Sequence, residues 1–455
     1  MNLDVVVLAA GKGTRMRSDM PKVLHILADK PLLGHVISAA NSLNPTAIHI
    51  VVGHKADDVE ASFPGSPFRW VRQTEQLGTG HAVAQAMPNI NNDSVVLILY
   101  GDVPLIKAST LKAMIEDVSK DQMSLLTVDL KNPDGYGRIV RDENSNVAAI
   151  VEQKEATPEQ LALTETNTGI MAVSAQQLSA WLPALSNSNT QGEYYLTDII
   201  AIAAAEGVTV KAFHPDTEAE VQGVNDRVQL ANLEREFQAE QAHQLLLQGV
   251  SLRDPKRLDI RGELTVGQDV AIDINVVFEG MVRLGNNVTI GPNCIIIGST
   301  IADNVEIKAN SVIENAVIAD NCAIGPFARI RPGSNLAAGV KVGNFVETKK
   351  VNIGAGSKVS HLTYLGDANI GKDVNIGAGT ITCNYDGVNK FVTEIGDGVF
   401  IGSNSALVAP VSIGENVTVG AGSVISKNIE KDQLAIARAK QRNLDGWQRP
   451  TKNKD

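Results

Sequence analysis

The sequence predicts an α/β domain built on a Rossmann-like, mostly parallel sheet, followed by a parallel β-helix of hexapeptide repeats. Three observations carry this expectation. In the first half, short apolar runs alternate with amphipathic stretches. From about Arg261 to Glu430, aliphatic residues recur every six positions. Aromatic residues make up only 4% of the 455 residues, whereas 39 are glycine. That length suggests two or three domains at roughly 150 residues each. Hydrophobic residues, at 44%, suffice to fill a core.

The first domain is expected over residues 1–225. Asp4–Ala10, Ile48–Gly53, Val95–Tyr100 and Ser124–Leu130 read as short buried strands. His35–Leu43, Thr79–Met87 and Thr110–Val118 read as helices between them. Strands that alternate with helices form a parallel sheet covered on both faces. Such sheets hold ligands at the carboxyl ends of their strands. Asn225-Asp226 then offers a cap, and no Pro or Gly follows until Gly249. Leu230, Leu233, Phe237, Ala242 and Leu245 fall near helical spacing, so residues 226–250 are expected to form one linking helix.

The β-helix is expected over residues 251–437. Val266, Ile272, Phe278, Leu284, Ile290 and Ile296 hold one six-residue frame. Ile301, Ile307 and Ile313 hold a shifted one, Ile318 to Val342 another, and Ile395 to Ile425 the last. Neither a helix nor an alternating strand has period six. A hexapeptide repeat does, with each aliphatic residue pointing into a narrow stack and a small neighbour (Gly, Ala or Asp) allowing the corner. A narrow prism has no room for aromatic rings. Cys383 to Phe391 interrupts the frame and must leave the prism as a loop, where binding residues concentrate. Residues 438–455 form a tail with Trp447 and a basic run, Lys452–Lys454.

Composition excludes several classes. Lys plus Arg number 40 against 51 Asp plus Glu, a net charge of −11. Bulk nucleic-acid binding needs a basic face and is not expected, although a local pocket for a phosphorylated small molecule remains open. Cys294, Cys322 and Cys383 are too few and too scattered for a disulfide framework or a zinc site, and read as thiols in a reducing compartment. The apolar run Val5–Ala10 is shorter than the roughly 7–15 residues of a signal h-region. No run approaches the ~18 residues of a membrane helix. A cytoplasmic protein with no membrane partner is expected.

Leu8-Ala9-Ala10-Gly11-Lys12-Gly13-Thr14-Arg15-Met16 follows the first strand, and Pro21-Lys22 comes shortly after. A Gly-x-Gly turn lets backbone N–H groups approach phosphates. Alone it is equally an ordinary tight turn. Met16 stands where a dinucleotide fingerprint needs its third Gly, and the spacing is not that of a Walker loop. Together with Gln73–His81, Tyr100-Gly101-Asp102-Val103-Pro104, Gly135–Arg138, Asn167-Thr168-Gly169 and Gly223-Val224-Asn225, the full string resembles the sugar-1-phosphate nucleotidyltransferases. That resemblance implies a UTP or UDP-sugar site of Leu8, Ala9, Ala10, Gly11, Lys22, Gln73, Gly78, Thr79, Tyr100, Gly101 and Asp102. It implies sugar-phosphate contacts at Gly137, Glu152, Asn167 and Asn225, and Mg²⁺ shared by Asp102 and Asn225. The chemistry is in-line attack of a sugar-1-phosphate oxygen on the nucleotide α-phosphorus. Such transfer needs positioning and charge neutralisation, which Lys22, Arg15 and Mg²⁺ would supply.

Taken together, the two halves resemble, over essentially the whole chain, the bacterial bifunctional N-acetylglucosamine-1-phosphate uridyltransferases and glucosamine-1-phosphate acetyltransferases. Asp226 and Gln222 depart from the family's usual residues, at positions with no catalytic role. The resemblance implies a left-handed coil, against the general right-handed crossover rule, and a homotrimer with acetyltransferase sites between subunits. It implies that the product feeds peptidoglycan and lipopolysaccharide synthesis. His361 is the only histidine beyond residue 243. A lone histidine is often structural, yet acyl transfer to an amine needs a base that is neutral near pH 7. By resemblance His361 is that base; Glu347 is placed to orient or polarise it. Arg331, Lys349, Tyr364 and Asn375 match glucosamine 1-phosphate contacts. Ala378, Asn384, Tyr385, Ser403, Ala421 and Arg438 match acetyl-coenzyme A contacts, and Lys440 or Arg442 stand near enough in sequence to add charge for its phosphates. Two other readings compete: a single-activity nucleotidyltransferase whose β-helix only oligomerises, and a non-enzymatic protein that retains both folds.

Overall fold

The computed structural model describes residues 2–452. Of the basic run Lys452–Lys454, Asn453 and Lys454 lie outside the described residues. The chain forms two compact units, one up to Phe237 and one from Gln238 onward.

In the first unit, seven strands form a path in the order Thr209–Phe213, Gln122–Asp129, Glu165–Ser174, Val95–Tyr100, Leu3–Ala9, Ala47–Val52 and Arg69–Arg72. Every residue of Leu3–Ala9 is buried, as are Val95–Leu99. Burial on both faces is why the central strands read as unbroken apolar runs. Leu3–Ala9 pairs in parallel with both neighbours. Glu165–Ser174 runs antiparallel to both of its own. It is reached through an antiparallel hairpin, Arg138–Arg141 and Val147–Val151, instead of a helical crossover. The expected helices occur as Leu32–Asn41, Thr79–Ala86 and Ala108–Glu116.

The connecting helix spans Arg227–Leu247. Asp226 Oδ1 accepts from Val228 and Gln229 N–H groups, both at 2.9 Å, and so caps it. Gly249 at φ 91° ends it.

The second unit is a left-handed parallel β-helix of strands two to nine residues long. Aliphatic residues stack in register: Ile272 under Ile290, Ile307, Ile324, Val342, Val359 and Ile376. All are buried in one continuous core. Coils of 17 residues mix with coils of 18. A 17-residue coil is one short of three hexads, which is the origin of the frame slips in the sequence. The coil from Ile376 to Ile401 is longer because it contains the Cys383–Phe391 insertion.

The corners depend on a residue type the hexad pattern did not single out. Asn275, Asn293 and Asn310 occupy one corner on successive coils at φ 58–59°. Asn tolerates this left-handed conformation better than other side chains with a Cβ. The three amides bond in a ladder, 2.8 and 3.3 Å apart. In the next coils Phe327, Phe345 and Leu362 take the same corner at φ 54°, 56° and 46°.

Asn310→Val should therefore cost more than ~2 kcal/mol, because a β-branched residue at positive φ is strained and the ladder bond is lost. Asn310→Gly should lose only the ladder. Thermal unfolding of the two variants measures the difference, and equal losses would show that the corner conformation is not limiting.

Candidate active sites

In the first unit, strand ends converge on a cavity of about 340 Å³. Leu8, Ala9, Ala10, Gly11, Lys22, Gln73, Gly78, Thr79, Tyr100 and Asp102 line it, so most of the expected nucleotide residues come together. Gly101 does not line it. Its N–H donates to Leu8 O at 2.9 Å, and an added Cβ would lie 3.2 Å from Leu33, so it ties two strand ends together. Gln73 is buried, its amide fixed by Gly78 O and His81 Nδ1, both at 3.1 Å. Sequence reasoning missed Gln76, Lys12 and Glu193 on the cavity wall. Gln76 and Lys12 lay inside the motifs. Glu193 carried no local signal, since it arrives through backbone bonds between Tyr194 and both Leu77 and Gly80.

Three charged groups and one amide meet at the mouth. Lys22 forms an ion pair with Asp102, and its ammonium also lies 3.3 Å from Asn225 Oδ1. Arg15 donates to the same Asn225 oxygen at 2.9 Å, from an exposed position outside the cavity lining. Val224 N–H donates to Asp102 O at 2.9 Å and holds the Gly223–Asn225 turn against the strand end. One carboxylate and one amide oxygen thus converge on a point held by an ammonium. These are the hard oxygen donors Mg²⁺ takes when phosphates and water complete its shell. No cluster of three or more acidic, His or Cys ligands exists among the described residues.

The expected sugar-side residues are also adjacent. Asn167 N–H donates to Gly137 O at 2.9 Å, and its side-chain oxygen accepts from Gly169 N–H at 2.8 Å. An added Cβ on Gly137 would lie 2.9 Å from Ile150 and 3.4 Å from Glu152 Oε1. Gly169, at φ 82°, lies against the Tyr100 ring, where a Cβ would fall 2.5 Å from it. Burial pushes the Tyr100 hydroxyl far up, with Asp102 and Glu152 adding to it. Burial also raises the Glu152 carboxyl, reinforced by Glu155 and Asp198 and opposed by the Thr197 hydroxyl. Arg138, fully buried, donates to Pro133 O at 2.8 Å and to Tyr136 O, so it holds the Gly135–Gly137 loop in place.

In the second unit, His361 belongs to a ridge. Asn344, His361, Ala378, Ser403 and Ala421 each precede the left-handed corner residue on successive coils. Ala378 O accepts from Asn404 N–H at 2.7 Å, and Ser403 O from Gly422 N–H at 2.8 Å. Arg438 donates to Ala421 O at 2.6 Å. A Cβ on Gly377 would lie 2.6 Å from Ser403 N, so the backbone stacks without side chains between coils there. With strands ~4.8 Å apart, the ridge from His361 to Ala421 spans ~14 Å.

The remaining expected residues flank this edge. On the face that follows it, Glu347 pairs in register with Tyr364, and Arg331 donates to Glu347 at 2.6 Å. The charges of Lys390 and Arg331 hold the Lys349 ammonium below the usual lysine range. Asn375 lies on the preceding face, in register with Lys358 and Phe400. Asn384, at the base of the inserted loop, donates to Asp367, and Tyr385 is exposed on the loop with its hydroxyl on Gly387 O. Glu347 was expected to orient His361; in this chain it pairs with Arg331, and the bond to the imidazole comes from Asn344 Oδ1 at 2.8 Å.

The two halves define a class: a nucleotidyltransferase sheet joined to a hexapeptide-repeat coil. A MobA-like NTP transferase domain is recognised over residues 5–177, a GMPPB C-terminal domain over 260–364, and bacterial transferase hexapeptide repeats over 393–427. The chain is 61% identical over 450 residues to the Bifunctional protein GlmU of Marinobacter nauticus, covering 99% of both chains. It is 57% identical over 454 residues to that of Idiomarina loihiensis, covering the whole of both. With that of Saccharophagus degradans it shares 60% over 450 residues, 99% of this chain and all of the relative. The chain belongs to the bifunctional GlmU family.

Glu152→Gln should raise the melting temperature at neutral pH, because it removes a buried carboxylate beside Glu155 and Asp198. The raised folded pKa means the burden is present above that pKa and vanishes as the pH falls toward the unfolded value. The gain should therefore shrink on acidification; a gain independent of pH would refute the cause given.

Proposed function

We propose that the chain performs two successive transfers. The β-helix moves an acetyl group from acetyl-coenzyme A to the amine of glucosamine 1-phosphate. The first unit then couples the product to UTP, giving UDP-N-acetylglucosamine and pyrophosphate. The observation that carries this reading is the ridge that aligns His361 with Ala378, Ser403, Ala421 and Arg438, beside a cation-lined face. A pure scaffold needs neither.

In acetyl transfer, the substrate amine attacks the thioester carbonyl as a free base. His361 takes its proton as the C–N bond forms, and the C–S bond breaks to release coenzyme A as the thiol. The ridge length of ~14 Å suits an extended thioester arm, with small residues leaving its backbone accessible. Arg331 and Lys349 hold the sugar phosphate.

In uridylyl transfer, a phosphate oxygen of N-acetylglucosamine 1-phosphate attacks the α-phosphorus of UTP and pyrophosphate leaves. The backbone around Ala10 and Gly11 cradles phosphates, and Lys22 and Arg15 neutralise developing charge. Gly137, Glu152, Asn167 and Asn225 orient the sugar phosphate. Asp102 and Asn225 would hold Mg²⁺, which neutralises phosphate charge when bound.

Phe327 and Phe345 stack with ring centroids 5.4 Å apart and are about half exposed, and Leu362 follows in the same column. Bulky side chains at positive φ cost ~1–2 kcal/mol each. A strained, exposed apolar column beside the His361 ridge suits a homotrimer in which a second copy covers it. The cytoplasm is the compartment this reading takes, in keeping with three unpaired thiols.

His361→Ala should lower acetyl transfer, read as thiol release, by ~10²–10⁴-fold and leave pyrophosphate release from N-acetylglucosamine 1-phosphate and UTP intact. Asp102→Ala should do the reverse. Loss of both activities in either folded variant would sink the two-site reading. Phe345→Asn should relieve backbone strain yet yield smaller species by light scattering. An unchanged assembly would remove the column from the interface.

A further inference from the structure

We propose that Asn344 is a positioning residue for acetyl transfer, setting the tautomer of His361 so that the ring nitrogen facing the substrate is the basic one. The inference rests on the general-base role given above to His361 and extends it to a residue that no motif singled out.

Asn344 and His361 are register partners on adjacent coils, and the Asn344 side-chain oxygen lies 2.8 Å from His361 Nδ1. An amide oxygen only accepts, so Nδ1 must carry the ring hydrogen, and Nε2 is left with its lone pair. Two further bonds fix the backbone on which this depends: Leu362 N–H donates to Asn344 O at 3.1 Å, and Thr363 Oγ1 donates to His361 O at 2.7 Å. The imidazole is exposed, so without this bond it would turn freely and sample both tautomers. In the register, Lys358 lies three residues before His361 on its own strand and pairs with Lys341 of the adjacent coil, and Glu347 on the following face is engaged with Arg331. None of them takes Nδ1. The choice of a neutral acceptor has a consequence. A carboxylate at position 344 would hold the same tautomer but stabilise the imidazolium, raising the pH at which the base becomes available. An amide orients the ring without adding a charge beside it.

The test uses the full-length chain and three variants, followed by thiol release against pH, with pyrophosphate release as the control for folding. Asn344→Ala should lower kcat for acetyl transfer by ~10–100-fold with little change in KM, the range typical when a group that orients a metal-bound histidine is lost. Asn344→Asp should recover most of that rate and move the acid limb of the kcat/KM profile to higher pH. His361→Ala, run alongside, separates the two claims. If it retains acetyl transfer, the general-base role itself fails. If it abolishes transfer while Asn344→Ala keeps the parent rate, or Asn344→Asp keeps the parent pH profile, the positioning role alone is overturned. Should Asn344→Ala lose pyrophosphate release as well, the pH profile of Asn344→Asp decides.

Discussion

The coil-to-coil backbone ladder of the second unit is the constraint on which much else depends. Each coil bonds to the next through parallel N–H to carbonyl bonds, and outside the inserted loop and the last coil the register recurs at 17 or 18 residues. That spacing forces like positions on top of like positions. Aliphatic residues stack into one core, corner residues stack into columns, and any residue beside a corner is repeated along an edge. A site on such a prism is therefore linear: a ridge of equivalent positions, each ~4.8 Å from the last. The inserted loop and the altered corner column are departures from repetition: Leu362 of the column directly follows His361, and Asn384 at the base of the loop bonds to Asp367.

The first unit solves the same problem differently. Its strands end together, and one strand end supplies the phosphate-facing backbone while another supplies Asp102. The polar and charged groups at the cavity mouth come from segments up to about 200 residues apart, as the bonds from Arg15 and Lys22 to Asn225 show. In the chain by itself the two cations satisfy the acidic and amide oxygens. The Lys22–Asp102 pair thus compensates its own charges, which limits the cost of holding them in a partly buried place.

Much of this was legible. The strand runs were legible because burial on both faces makes them continuously apolar, and the hexads because a narrow prism admits one residue type per inward position. The glycine-rich turn, Asp102 after its strand, and His361 stood out through local pattern. Three features did not. Asn at the corners looked like ordinary polar surface, since its role depends on a backbone angle and not on hydrophobicity. Glu193 reaches the nucleotide cavity through a backbone docking far from the motifs. Asn344 has meaning only because a 17-residue coil places it beneath His361.

The sequence by itself determined the two architectures, their order, and the residue types at each site, because periodicity and turn chemistry are local properties of the chain. Tertiary structure decided which side chains share a hydrogen bond. Asn344 with His361, Arg331 with Glu347 and Lys22 with Asp102 are each matters of register or sheet closure. The length of each coil sets which side chains become partners across it, and no local propensity encodes that offset.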